Sequence, residues 1–238
     1  MLEIKNVSVS AGEKKILKNV SLRVENGKKV VLMGPNGSGK STLCKAIMGD
    51  PAYKIEGGSV LLDGVDITRL RTDEKALLGL FMIFQEPEGI DGLNAMRFLR
   101  SAYSKRTKNM DDFQSKLSAI SEKINMNKEL LSKELNVTLS GGEKKKLEML
   151  QMLLLDPKYA LVDEFDSGLD IDSVKLISNS INSAPSGFLI VTHNPAVLKR
   201  LKVDEINVIK DGEIIASGGA NMVEKIEREG FLWTEKKL

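Results

Sequence analysis

One cysteine, Cys44, stands in a chain of 238 residues, so no intrachain disulfide can form and no multi-cysteine metal site exists within it. No apolar run comes near the roughly 18–20 residues needed to cross a bilayer as a helix. The opening Met1-Leu2-Glu3-Ile4-Lys5 lacks the apolar segment of a secretory signal. An excess of one charge is also missing. The 35 basic side chains meet 33 acidic ones, and a net +2 gives no electrostatic reason to bind nucleic acid or an anionic membrane. Linkers rich in Gly, Ser or Pro, low-complexity tracts and internal repeats are absent as well. The expectation is a cytoplasmic protein with no nucleic-acid partner and no direct membrane insertion. Any membrane or metal-cluster part would fall to another chain. What is there, 42% hydrophobic and 29% charged, is ordinary for a globular protein able to bury a substantial core. The densest basic run, Lys144-Lys145-Lys146, reads as a solvated helix face.

The first sixty residues read as β-rich, with strands over 2–9 and 16–24 separated by the turn-like Ala11-Gly12-Glu13. Val30-Val31-Leu32-Met33 is a short, continuously apolar run, as a strand buried on both faces requires. It leads into a Gly-rich loop and then a helix over 40–48 that ends near Gly49. Further strands are expected over 58–62 and 79–85. From about 91 to 146 apolar residues fall at helical spacing and no strong strand occurs. The β/α alternation then resumes, with a strand over 159–162, a helix over 171–180 and a strand over 188–192. Asn194 as cap and Pro195 in the first turn open another helix. Strands over 205–209 and 213–216 precede a charged helix over 220–228. The order predicts an α/β core formed by 1–90 and 150–238, interrupted by a helical subdomain over 91–149.

The loop after the apolar run is Gly34-Pro35-Asn36-Gly37-Ser38-Gly39-Lys40-Ser41, followed by Thr42. Its Gly-x4-Gly-Lys-Ser spacing arrays backbone N–H groups around phosphates at a helix N-terminus, where the helix dipole favours negative charge. Glycine permits close approach, Lys40 can reach the β- and γ-phosphates, and Ser41 can bind Mg²⁺. A dinucleotide fingerprint does not fit, because Thr42 stands where the third glycine would be. The expected ligand is a nucleoside triphosphate, ATP, with Mg²⁺.

About a hundred residues further on the chain reads Leu139-Ser140-Gly141-Gly142-Glu143, then Ala160-Leu161-Val162-Asp163-Glu164. A Leu-Ser-Gly-Gly-Glu pentad between a P-loop and a downstream Asp-Glu resembles the signature motif of ABC-type ATPases. That resemblance implies a P-loop NTPase with a RecA-like core, an N-terminal antiparallel β subdomain and an inserted helical subdomain. Asp163 resembles the aspartate that supports Mg²⁺, and Glu164 resembles the general base that polarises the attacking water. Gln85, after Leu80-Phe81-Met82-Ile83-Phe84, resembles the glutamine that meets Mg²⁺ and that water. His193, the only histidine, matches the family's switch histidine, which contacts the γ-phosphate. Ser167-Gly168-Leu169-Asp170 looks like the loop that crosses the dimer interface, and Asp170 joins the nucleotide-binding set. In the family, Ser140, Gly141 and Gly142 of one subunit close over the nucleotide held by the other. A single copy of each motif therefore implies a transient, ATP-dependent homodimer.

Two stretches narrow the resemblance. The helix after the pentad reads Glu143-Lys144-Lys145-Lys146-Leu147-Glu148-Met149-Leu150-Gln151-Met152, where transporter ATPases generally have Arg and Ala. After Asp163-Glu164 comes Phe165-Asp166-Ser167-Gly168-Leu169-Asp170-Ile171-Asp172. With Phe84-Gln85-x-Pro87 and the ending Gly230-Phe231-Leu232-Trp233, the whole chain is similar to the SufC ATPases of SUF iron–sulfur cluster assembly. The resemblance implies SUF-type scaffold subunits as partners, docked around residues 86–98. Two departures stand out: Phe165 replaces a small polar residue, and Ala11 stands where an aromatic ring usually stacks on adenine, which predicts modest discrimination between ATP and GTP. The alternative is the ATP-binding subunit of a membrane transporter. An ABC protein acting on ribosomes or DNA is disfavoured by the single cassette.

Overall fold

The computed structural model describes residues 1–107 and 109–230. Of the expected ending, Phe231-Leu232-Trp233 lies outside the described residues. The chain begins with a hairpin of β1 (Leu2–Ala11) and β2 (Lys14–Val24). In β1 the inward residues are Leu2 and Ile4, then Val7 and Val9, so the buried face changes parity partway along. Asn6, at φ 49°, causes the change: a left-handed residue in a register shift inserts one position and turns the next side chain back inward. Asn19, at φ 51°, does the same between Leu17 and Val20 in β2.

All five residues of β3 (Lys29–Met33) are buried, as its unbroken apolar run predicts. It feeds α1 (Lys40–Met48), which stops at Gly49 with φ 93°. Then come β4 (Lys54–Leu62), β5 (Val65–Asp66), α2 (Thr72–Leu78), β6 (Leu80–Ile83), α3 (Ala95–Arg106), α4 (Phe113–Lys123), a 3-10 turn (Lys128–Ser132) and α5 (Gly141–Leu155). The remainder is β7 (Tyr159–Asp163), α6 (Ile171–Ser183), β8 (Gly187–Thr192), α7 (Pro195–Leu198), β9 (Glu205–Lys210), β10 (Glu213–Gly218) and α8 (Asn221–Glu229). The strand expected over 79–85 is shorter, and β5 and α2 carry no signal in the sequence. In α2 only Lys75 is buried, so there is no apolar stripe to read.

Among the described residues two sheets form, in the orders β2-β1-β4-β5 and β10-β9-β3-β8-β7-β6. The first is antiparallel. In the second, β9, β3, β8 and β7 run parallel. Contacts divide the chain into two units. The first comprises Met1–Met82, Lys158–Glu164 and the chain from Pro185 on. A hydrophobic cluster within it joins Leu2, Val9 and Leu17 to Leu32, Leu43, Leu161 and Leu189. Truncating any of these leucines to alanine costs about 2–5 kcal/mol.

The second unit, Ile83–Pro157 and Phe165–Ala184, is helical. Its core includes Leu99, Phe113, Leu117, Leu147 and Leu150, with the Tyr103 and Phe113 rings 5.3 Å apart. Lys144-Lys145-Lys146 is not the solvated face expected of it, for Lys145 is buried. Lys145 lies on the same inward side of α5 as Glu148. No described helix is long and apolar enough to cross a membrane.

Candidate active site

Strands β3, β8 and β7 are neighbours and run parallel, with Met33 level with Thr192 and Asp163 level with Val191. Their carboxyl ends therefore reach one edge of the sheet, where open α/β sheets bind ligands. From β3 comes the loop Gly34–Gly39, from β7 come Asp163 and Glu164, and from β8 comes His193. Two glycines in the loop are required by space. A Cβ on Gly34 would lie 2.1 Å from the Ile209 carbonyl oxygen. Gly39 has φ +103°, and a Cβ there would meet Leu17 Cδ2 at 2.5 Å. Pro35, Asn36, Gly37 and Ser38 complete the loop. Thr42 sits in the first turn of α1, whose leading N–H groups have no acceptor within the helix and suit phosphate. The Ser38 hydroxyl is buried without a hydrogen-bond partner, which also fits a phosphate oxygen.

Lys40 is buried, and its Nζ donates to the carbonyls of Gly34 at 2.8 Å and Pro35 at 2.9 Å. Burial pulls its pKa down, against the opposing charges of Glu164 and Asp163. Ser41 Oγ donates to Asp163 Oδ1 at 2.9 Å. A fully buried carboxylate beside a hydroxyl offers hard oxygen donors of the kind Mg²⁺ prefers, so Ser41 and Asp163 fit that ion.

Glu164 has a left-handed backbone, φ 45°, unusual for so large a side chain and costing about 1–3 kcal/mol. Its N–H donates to the Val191 carbonyl at 2.9 Å, which ties the turn to β8. Its carboxylate lies 2.8 Å from His193 Nδ1. A carboxylate only accepts, so Nδ1 carries the proton in this contact and Nε2 of a neutral ring is left an acceptor. Glu164 is mostly buried, whereas the His193 side chain is 48% exposed. A carboxylate held beside an accessible ring is of the kind that can polarise a water molecule.

The other expected site residues belong to the second unit. Gln85 is exposed, just past β6. Ser140 caps α5: its hydroxyl accepts from the Glu143 N–H at 3.3 Å, and Glu143 Oε2 accepts from the Ser140 N–H at 2.8 Å. A Cβ on Gly141 would meet nothing within 4 Å, and one on Gly142 would sit 3.8 Å from Leu169. Asp170 caps α6, accepting from the Ser173 N–H at 2.8 Å and the Ser173 hydroxyl at 2.7 Å. Those donors hold its carboxyl below the usual range. The structure thus brings Lys40, Ser41, Asp163, Glu164 and His193 together in the first unit. In the second, Gly142 of the pentad lies beside the loop that ends at Asp170. The Glu164–His193 contact escapes sequence reasoning, because it depends on β8 lying next to β7.

The sequence model of the family described as ABC transporter matches residues 17–167. A probable ABC transporter ATP-binding protein of Streptococcus pyogenes serotype M3 is 43% identical over 239 residues, covering 97% of this chain and 93% of its own. Vegetative protein 296 of Bacillus subtilis is 41% identical, covering 100% of this chain and 94% of its own. Among solved structures, a dimeric bacterial ABC transporter cassette superposes with a TM-score of 0.77 at 25% identity, over 92% of this chain and 98% of that one. With its phosphate loop, its buried aspartate and its signature pentad, the chain belongs to the ABC transporter ATP-binding family and is an ATPase cassette that binds and hydrolyses ATP.

Proposed function

We propose that this ATPase works as SufC does, driving the rearrangement of a scaffold complex on which iron–sulfur clusters are assembled. The observation that carries the reading is the run Asp163-Glu164-Phe165-Asp166-Ser167-Gly168-Leu169-Asp170, which departs from the Pro-Thr-Ser-Ala-Leu-Asp common in importer ATPases. The Lys- and Glu-rich helix after the pentad supports it. Cys44 is buried in the core, so the cluster belongs on the partner.

In this reading Glu164 polarises the attacking water, and Lys40 and His193 address the phosphates. Ser41, Asp163 and Gln85 would hold Mg²⁺, which when bound neutralises charge on the phosphate oxygens. Two copies dimerise with ATP. Ser140, Gly141, Gly142 and Asp170 of each then complete the site of the other. For His193 to donate through Nε2 while Nδ1 stays on Glu164, the ring must be protonated; otherwise that contact opens first. Catalysis is positioning and electrostatic stabilisation, with no covalent intermediate.

The second reading, a membrane transporter's ATP-binding subunit, is favoured by the relative named a probable ABC transporter ATP-binding protein. Affinity capture of the chain from its native cells, with membranes and cytosol separated beforehand, distinguishes the two. Scaffold proteins co-eluting from the cytosol are expected. A polytopic membrane protein co-eluting from the membranes would overturn the cluster-assembly reading and leave the ATPase intact.

A further inference from the structure

Phe84 links β6 to Gln85, and one helix holds its backbone at both polar atoms. The Phe84 N–H donates to Glu148 Oε1 at 2.9 Å, and the Phe84 carbonyl accepts from Lys145 Nζ. Lys145 also donates to Glu148 Oε2, at 3.4 Å. Three positions apart on α5, the two side chains share a face and are only 4% and 3% exposed. Burial pushes the Glu148 carboxyl up to about 7, against the pull of Lys145 and the Phe84 N–H. A buried ion pair of this kind seldom stabilises more than apolar residues of the same volume, so packing alone does not account for it.

The chain beyond Gln85 is pinned as well. Asn136 Nδ2 donates to the Glu88 carbonyl at 3.2 Å. The Ile90 N–H donates to the Leu135 carbonyl at 2.9 Å, and the Leu135 N–H to the Leu93 carbonyl at 2.7 Å. Residues on both sides of Gln85 are thereby fixed to the segment leading into the signature pentad and to the helix that follows it.

We infer that Glu148, together with Lys145, is a positioning residue for ATP hydrolysis: by fixing the Phe84 backbone it sets the point from which the Gln85 side chain reaches out. The inference rests on the role proposed above for Gln85. In Glu148→Leu the Phe84 N–H loses its acceptor, whereas in Glu148→Gln an amide oxygen still accepts.

The full chain, Glu148→Leu, Glu148→Gln, Gln85→Ala and the Glu148→Leu/Gln85→Ala double variant are compared by amide hydrogen exchange at Phe84, by kcat and by ATP affinity. In Glu148→Leu, exchange at Phe84 is expected to rise at least about 10-fold as the local bond is lost. Its kcat should fall about 10-fold from misplacement, with ATP affinity within about twofold. Glu148→Gln should restore both, and the double variant should hydrolyse no more slowly than Gln85→Ala.

Native kcat in Glu148→Leu, or a further loss in the double variant as large as in the full chain, overturns the inference. If Gln85→Ala alone keeps native kcat, the role of Gln85 falls and the inference with it. If only Glu148→Leu keeps native kcat, the inference falls alone. Should Glu148→Leu fail to fold, Glu148→Asp, one methylene too short to reach, carries the same comparison.

Discussion

In the first unit the candidate residues Asp163 and His193 stand at strand ends, whereas in the second the candidates Ser140 and Asp170 are helix caps, and the difference separates chemistry from stability in one pair and merges them in the other. Asp163 and His193 extend from buried parallel strands, and their side chains bond to Ser41 and Glu164, residues of the same site. Ser140 and Asp170 are instead the N-caps of α5 and α6, spending their oxygens on the helices they start. A strand-end residue can change while the sheet beneath it stands. A cap cannot change without loosening its helix.

The largest effect expected from this contrast is on hydrolysis without loss of fold. Glu164→Gln should cut kcat at least about 100-fold, as removing a general base does, while ATP still binds. Its thermal midpoint should stay close to that of the unchanged chain. Near-native turnover would remove Glu164 from the role of base, and a large fall in midpoint would break the contrast. Sedimentation of the same variant with ATP should show the dimer.

Ser140→Ala should do both kinds of damage. Loss of the capping box costs about 1 kcal/mol, or about 2–4 °C in melting temperature for a chain of this size, in addition to slower hydrolysis. Asp170→Ala should lower the melting temperature by a similar amount, since two hydrogen bonds to Ser173 go with it. Calorimetry alongside a steady-state assay reads both. If Ser140→Ala melts with the unchanged chain, the cap carries no stability and the contrast narrows to geometry.

The smallest effect sharpens the contrast, because Asp63 is a polar hub of the first unit outside the site. It accepts from the Met1 ammonium at 2.5 Å, Lys158 Nζ at 2.9 Å and the Tyr159 hydroxyl at 3.0 Å. The Met1 ammonium first, then Lys158, hold its carboxyl well below the usual range, while burial and this same acid push the Tyr159 phenol up to about 12. A carboxyl lowered in the folded state stabilises fully above its unfolded value, near pH ~4, and loses that contribution as pH falls further. Asp63→Asn should therefore melt slightly earlier at pH 7, by less than about 1 kcal/mol for so exposed a cluster, with the gap closing below pH ~4. A gap that persists undiminished at low pH would mean that its ionisation is not the cause.

Much of the fold could be read from the chain. Val30–Met33 announces a buried strand because no polar residue interrupts it, and the glycines after it leave few alternatives to a phosphate loop. The Asn194 cap with Pro195 opens α7 as expected. What could not be read depends on contacts distant in sequence or on backbone conformation. Lys145 looks like its two neighbours until the inward face of α5 is known. Nothing in a glutamate at 164 says that its backbone is left-handed. The turn of the buried face at Asn6 and Asn19 leaves strands that read as strands, with their register hidden.

The strand order has a consequence for how the protein comes into being. In space β8 lies between β3 and β7, yet it is the last of the three to be synthesised. Until it inserts, Glu164 has no Val191 carbonyl to set its turn and no His193 beside it. A nascent chain that already holds both the phosphate loop and the acid pair therefore still lacks the Glu164–His193 contact. That contact arrives late, with long-range parallel pairing of the slow kind.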